Sequence, residues 1–171
     1  LTRGSVAQRL ADRPAVRDAI MQAARAARDL PGADPRAMSH SWLFTGPPGS
    51  GRSNAALAFA AALMCTNVEI NGPEAELGCG HCEGCRSVLE TQSHPDLKFW
   101  TPQGLTIKVE EVRGVIKDAI ALPTHAKFRV IIFDNADRLT AGASNALLKT
   151  VEEPSAQTVI IMCAPSADPQ D

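Results

Sequence analysis

Two stretches late in the chain, Arg129-Val-Ile-Ile-Phe133 and Thr158-Val-Ile-Ile-Met-Cys163, are apolar at nearly every position rather than at alternate ones. A strand with one wet face alternates; a continuous run needs cover on both faces, the condition of a central strand in a parallel sheet. Between them, residues from Ser144 to Glu152 read as a helix stopped by Pro154. The same alternation runs upstream. Ser41-Trp-Leu-Phe44 leads into a glycine-rich turn, an alanine-rich helix follows from Asn54 to Met64, and Asp96-Leu-Lys-Phe-Trp100 is a second strand. Val109, Val112, Ile116, Ala119 and Ile120 then recur at helical spacing. Strands alternating with helices predict an α/β fold with an open, doubly wound parallel sheet and a ligand site at the carboxyl ends of its strands.

Ahead of this pattern, a helix is expected from about Pro14 to Leu30, with Val16, Ile20, Ala23, Ala27 and Leu30 packed and Arg17, Arg25 and Arg28 solvated. Pro31-Gly-Ala-Asp-Pro35 ends it. This divides the chain into an N-terminal helix and linker over 1–35 and a core over 36–171. No apolar run reaches the roughly 18 residues of a membrane helix, and no secretion signal is legible, so a cytoplasmic protein without membrane contact is expected. The net charge is −2 with both signs interspersed, which excludes a surface that grips nucleic acid unaided. The last residues, Ser166-Ala-Asp-Pro-Gln-Asp171, come directly after a strand with no capping element, as in a piece of a longer protein.

The turn reads Gly46-Pro47-Pro48-Gly49-Ser50-Gly51-Arg52-Ser53. Glycines let consecutive amides turn inward around phosphates, and the helix behind them adds its N-terminal dipole. Ser53 is placed to meet magnesium, but Arg52 stands where the nucleotide loop has lysine, and its planar fork is a poor replacement for a compact ammonium. A plain glycine-rich turn is the alternative. Asp134, at the end of an apolar strand, is the candidate second carboxylate for the cation. The next position, where such ATPases carry the glutamate that activates water, is Asn135, which cannot take a proton. No catalytic residue is assigned. Asp134-Asn-Ala-Asp137 can equally begin a helix as an N-cap.

Cys79-Gly-His-Cys-Glu-Gly-Cys85 overlaps two C-x-x-C units, and Cys65 makes four thiols within 21 residues. Four thiolates suit a closed tetrahedral zinc site of structural type, so Cys65, Cys79, Cys82 and Cys85 are the candidate ligands, in a small module inserted at about 65–95. A redox pair, an iron–sulfur centre or free thiols are the competing readings. Thirteen residues separate Cys65 from Cys79, which makes Cys65 the least secure ligand. His81 reads as a solvated bystander and Cys163 as core.

Together, the glycine loop, the cysteine quartet, "SHPDLKFW", "IKVEEVR", "DNADRLT" and above all "SNALLKTVEEP" resemble the AAA+ module of the bacterial DNA polymerase III clamp loader, over about residues 36–171 and in its delta-prime branch. The resemblance implies a hetero-pentameric ring that loads the sliding clamp on primed DNA within the DNA-directed DNA polymerase holoenzyme. It implies lid and collar domains beyond residue 171, weak or absent ATP and magnesium binding, and no intrinsic ATPase activity. In active members a polar γ-phosphate sensor falls near Ala164 or Pro165, and an arginine finger lies in a Ser-Arg-Cys triplet, not present up to Asp171. The alternatives are an active gamma/tau-like motor using Glu152 or Glu153 as base, and an unrelated P-loop NTPase.

Overall fold

A computed structural model describes residues 4–47, 50–101, 104, 106–119, 121–152 and 157–165. The chain forms two compact units, one of residues 1–39 and 57–95, the other of residues 40–56 and 96–171.

The second unit is built on four parallel strands: β1 (Ser41–Thr45), β2 (Leu97–Trp100), β3 (Arg129–Phe133) and β4 (Thr158–Ala164), in the order β1-β4-β3-β2. The two continuous apolar runs are the two inner strands, as expected, with Ile131 paired to Ile160 and Ile132 to Ile161. All four of these side chains are fully buried, so both faces of the sheet are covered at its centre. Edge strand β1 instead leaves Leu43 half exposed.

Helices α6 (Val109–Ala119) and α7 (Ala141–Val151) connect β2 to β3 and β3 to β4. Val112, Val115, Ala143 and Leu147 from these helices pack with Ile131, Phe133 and Ile160 into one cluster. Helix α7 starts three residues before the expected Ser144, because the Thr140 hydroxyl accepts from the Ala143 amide at 3.2 Å and caps the first turn. Glu152 is its C-cap; Pro154 and Glu153 lie outside the described residues, as does Ile120.

The first unit holds α1 (Val6–Arg9), α2 (Pro14–Ala27), most of α3 (Arg52–Met64), α4 (Asn67–Asn71) and α5 (Glu83–Leu89). From Ala55 to Met64 every residue of α3 is buried, so the helix is apolar all round because it is wrapped all round. The segment Arg52–Asn71 is by length and composition apolar enough to cross a membrane, but its apolar stretch is mostly buried, as that of a core helix is. On α2, Ile20, Ala23, Ala27 and the following Leu30 are buried as expected. Val16, in the first turn, is left at the surface, and Arg28 is not solvated. Its side chain is 6% exposed, and the guanidinium donates to the Ala62 and Leu63 carbonyls while pairing with Glu69 at 2.7 Å. The last carbonyls of a helix have no partner within it, and Arg28 supplies one.

The short helix α1 carries a signal that sequence reasoning passed over: Ser5 and Gln8 form a reciprocal capping box. The Val6 amide donates to the Gly78 carbonyl at 2.8 Å, which ties this turn to the loop entering the cysteine cluster.

Candidate functional sites

The glycine loop leaves the carboxyl end of β1, and its first amide, that of Gly46, donates to the Ala164 carbonyl at the end of β4. Gly51, with φ of 87°, makes a left-handed turn that favours glycine and hands the chain to α3. Because all strands run the same way, Asp134 at the end of β3 comes to the same edge of the sheet. Ser53 Oγ donates to Asp134 Oδ1 at 3.2 Å, so the hydroxyl and carboxylate singled out as candidate cation ligands are neighbours. Pro47 accepts from the Ser50 amide, and the buried Ser50 hydroxyl has no hydrogen-bond partner among the described residues. Pro48 and Gly49 lie outside the described residues.

Arg52 does not extend from the loop. It is 7% exposed, and its Nη1 donates to the Gly46 carbonyl at 2.6 Å while Nη2 donates to Asn135 Oδ1 at 3.0 Å. The same nitrogen lies 3.7 Å from Asp134 Oδ1. Asn135 has left-handed backbone angles, φ 52° and ψ 47°, a conformation asparagine tolerates better than most residues. It occupies the N-cap place of a single 3-10 turn, Ala136–Arg138, without a side-chain cap bond. Beneath this group, Cys163 Sγ lies 3.9 Å from the Arg52 carbonyl. Burial, and then the Asp134 charge, push its thiol up to about 12 against the pull of Arg52, so it stays neutral, as a core residue. The side chain of Ala164 is buried and apolar, and Pro165 follows it at the surface, so neither offers a polar group at the sensor position. Glu152 is exposed.

In the other unit, the four cysteine sulfurs all lie within 4.8 Å of one another. Cys65 Sγ is 3.9 Å from Cys79 Sγ and 3.7 Å from Cys82 Sγ. Four sulfurs at about 2.3 Å from a tetrahedral ion sit about 3.8 Å apart, so the spacing fits a metal ion. Cys65, the least secure ligand by spacing, is thus in the cluster. The loop across residues 66–78 contains α4, and Asn67 Nδ2 fastens it by donating to the Glu76 carbonyl at 2.8 Å. Backbone amides also point at the sulfurs: Cys82 to Cys79 Sγ, and both Thr66 and Cys85 to Cys82 Sγ, at 3.3–3.4 Å. Cys82 is the N-cap of α5. Hydrogen bonding with the Cys65 and Cys85 thiols, then with these amides, holds its thiol far below the ordinary value. Hydrogen bonding within the cluster and burial push Cys85 the other way, and burial does the same to Cys79. A divalent cation would let all four ionise together. His81 is exposed and outside the cluster.

Gly84 shows why the winding demands its residue type: a Cβ there would collide with the Met64 carbonyl. Sequence reasoning missed Asp96, whose side chain is fully buried. It accepts from the amides of Thr124, His125 and Ala126 at 2.7–2.8 Å and from the Thr124 hydroxyl at 3.0 Å. Burial alone would raise its carboxyl, but these donors outweigh it and hold it at about 2. In the sequence it is only the acidic first residue of the run expected as the second strand.

A family model described as DNA polymerase III, delta subunit, matches residues 32–169. The chain belongs to this DNA polymerase III family. Within it the chain is delta-prime-like. It is 33% identical over 127 residues to subunit delta' of Bacillus subtilis, covering 73% of this chain and 36% of that one. It is 35% identical over 124 residues to subunit delta' of Escherichia coli, covering 70% and 34%. Subunit tau of Bacillus subtilis is 31% identical over 124 residues, covering 72% and 21%. The chain therefore spans roughly a third of the length of its delta' relatives. Among solved structures, a gamma subunit-related protein of Thermotoga maritima superposes with a TM-score of 0.53 at 18% identity over 85% of this chain and 39% of that one, a likeness of fold.

Proposed function

We propose that this clamp-loader chain is an assembly subunit of delta-prime type: a AAA+ module that binds the other subunits of the ring and does not hydrolyse ATP. The observation that carries this reading is Asn135 at the end of β3, bonded to Arg52, where a water-activating carboxylate would be needed. An amide in place of the general base removes roughly 10²- to 10⁴-fold of rate. Gly46 to Ser53, with Asp134, is the remnant of the nucleotide site, and clamp and primed DNA are reached through ring partners in the cytoplasm. The metal of the cysteine cluster is zinc in a structural role, with Cys65, Cys79, Cys82 and Cys85 as its four ligands.

The test is steady-state ATP turnover by the purified full-length protein, alone and with motor subunits. No turnover above buffer is expected from it alone. Several magnesium-dependent turnovers per minute, abolished in Asp134→Ala, would establish instead the motor reading suggested by the similarity to subunit tau. Elemental analysis is expected to give one zinc per chain, and a value well below one rejects the quartet.

A further inference from the structure

Arg52 and Asn135 are both departures from an active nucleotide site, and they are bonded to each other. We propose that Arg52 is a built-in occupant of the glycine loop, standing in for nucleotide and cation together, so that a polyphosphate enters only when Arg52 is displaced. The inference rests on the reading of the loop as a disused nucleotide site and adds what would close it to polyphosphate.

A nucleotide loop is ordinarily held closed by phosphate, and its acidic strand by a cation. Here both tasks are met from within the chain. One arm of the guanidinium holds the Gly46 carbonyl, at the start of the loop, and the other holds Asn135, at the end of β3. A lysine ammonium has no such fork with which to span two separate acceptors. The charge beside Asp134 comes from the same group, at 3.7 Å. Asp134 Oδ1 also accepts from the Ser53 hydroxyl and from the Asn135 amide, so its two lone pairs are engaged. The hydroxyl that would ligate magnesium is donating to the carboxylate instead. Asn135 serves as acceptor because its left-handed backbone turn keeps it beside Asp134. The buried Ser50 hydroxyl, with no partner among the described residues, is a donor still available to an incoming phosphate.

Binding of magnesium-ATP and of inorganic triphosphate is measured by titration calorimetry on the full-length protein, its Arg52→Lys form and its Asn135→Gly form. Glycine at 135 keeps the left-handed turn and deletes only the acceptor. Relative to wild type, Arg52→Lys is expected to bind both ligands at least fivefold more tightly, and Asn135→Gly at least twofold. Smaller gains, or micromolar affinity in the wild type, overturn the proposal. Should Arg52→Lys fail to fold, the Asn135→Gly result decides by the same threshold. ATP turnover by the wild type would sink the silent-subunit reading; a flat binding series without turnover sinks only the internal occupant.

Discussion

The cysteine cluster and the glycine loop look alike as motifs and opposite as structures. Both present polar groups converged by glycine-rich turns. In the cluster the groups are four sulfurs with amides aimed at them, an arrangement that could hold an outside ion. Around the loop, a carbonyl, an amide oxygen, a carboxylate and a guanidinium complete one another. A convergent motif announces a ligand only when its charges do not already cancel.

That contrast can be broken most decisively by stripping the metal. Structural zinc contributes on the order of 10 kcal/mol at neutral pH, so chelation should abolish cooperative melting of the cysteine-bearing unit, followed by circular dichroism. A metal-free protein with an unchanged melt would erase the distinction. Next in size, Gly84→Ala drives a methyl into the Met64 carbonyl and should cost about 3 kcal/mol in urea unfolding, with polyphosphate binding untouched.

On the self-completed side, Asp96 offers a pH test. Its carboxyl is lowered from 3.8 to about 2 on folding, so its contribution is present above pH 3.8 and is lost as the pH falls through about 2. Asp96→Asn should cost about 2 kcal/mol at pH 7 and flatten the acid limb of the stability profile; a parallel limb in the variant would show that the charge is not what matters. The smallest effect is expected at Asp134. Removing it leaves Arg52 buried beside two neutral acceptors, but water reaches part of the carboxylate site, so Asp134→Ala should cost about 1.5 kcal/mol. A stabilised variant would mean that the loop still awaits a ligand.

The sheet was legible because short, β-branched apolar runs such as Val130 to Phe133 suit strands covered on both faces, and the helices between them show a 3.6-residue period. The cysteine quartet was legible because thiols at that spacing have few uses. Other features turn on partners far away in sequence. Arg28 and Arg17 are alike on a helical wheel, and only the fold decides that one meets the end of α3. Asp96 gives no hint of the three amides at 124–126 that surround it. Arg52 was recognised as anomalous, but its attachment to Asn135 joins residues 83 apart in the chain. The start of α7 was misplaced because the pattern of apolar residues begins after Thr140, which does the capping.

The bond from the Val6 amide to the Gly78 carbonyl has a consequence for biosynthesis. Residues 5–9 leave the ribosome long before residues 78–85, so the nascent turn at Ser5 has only its local cap until the cysteine loop emerges. On the proposal that the cluster holds zinc, the supply of that metal would set when the early-made segment finds its seat.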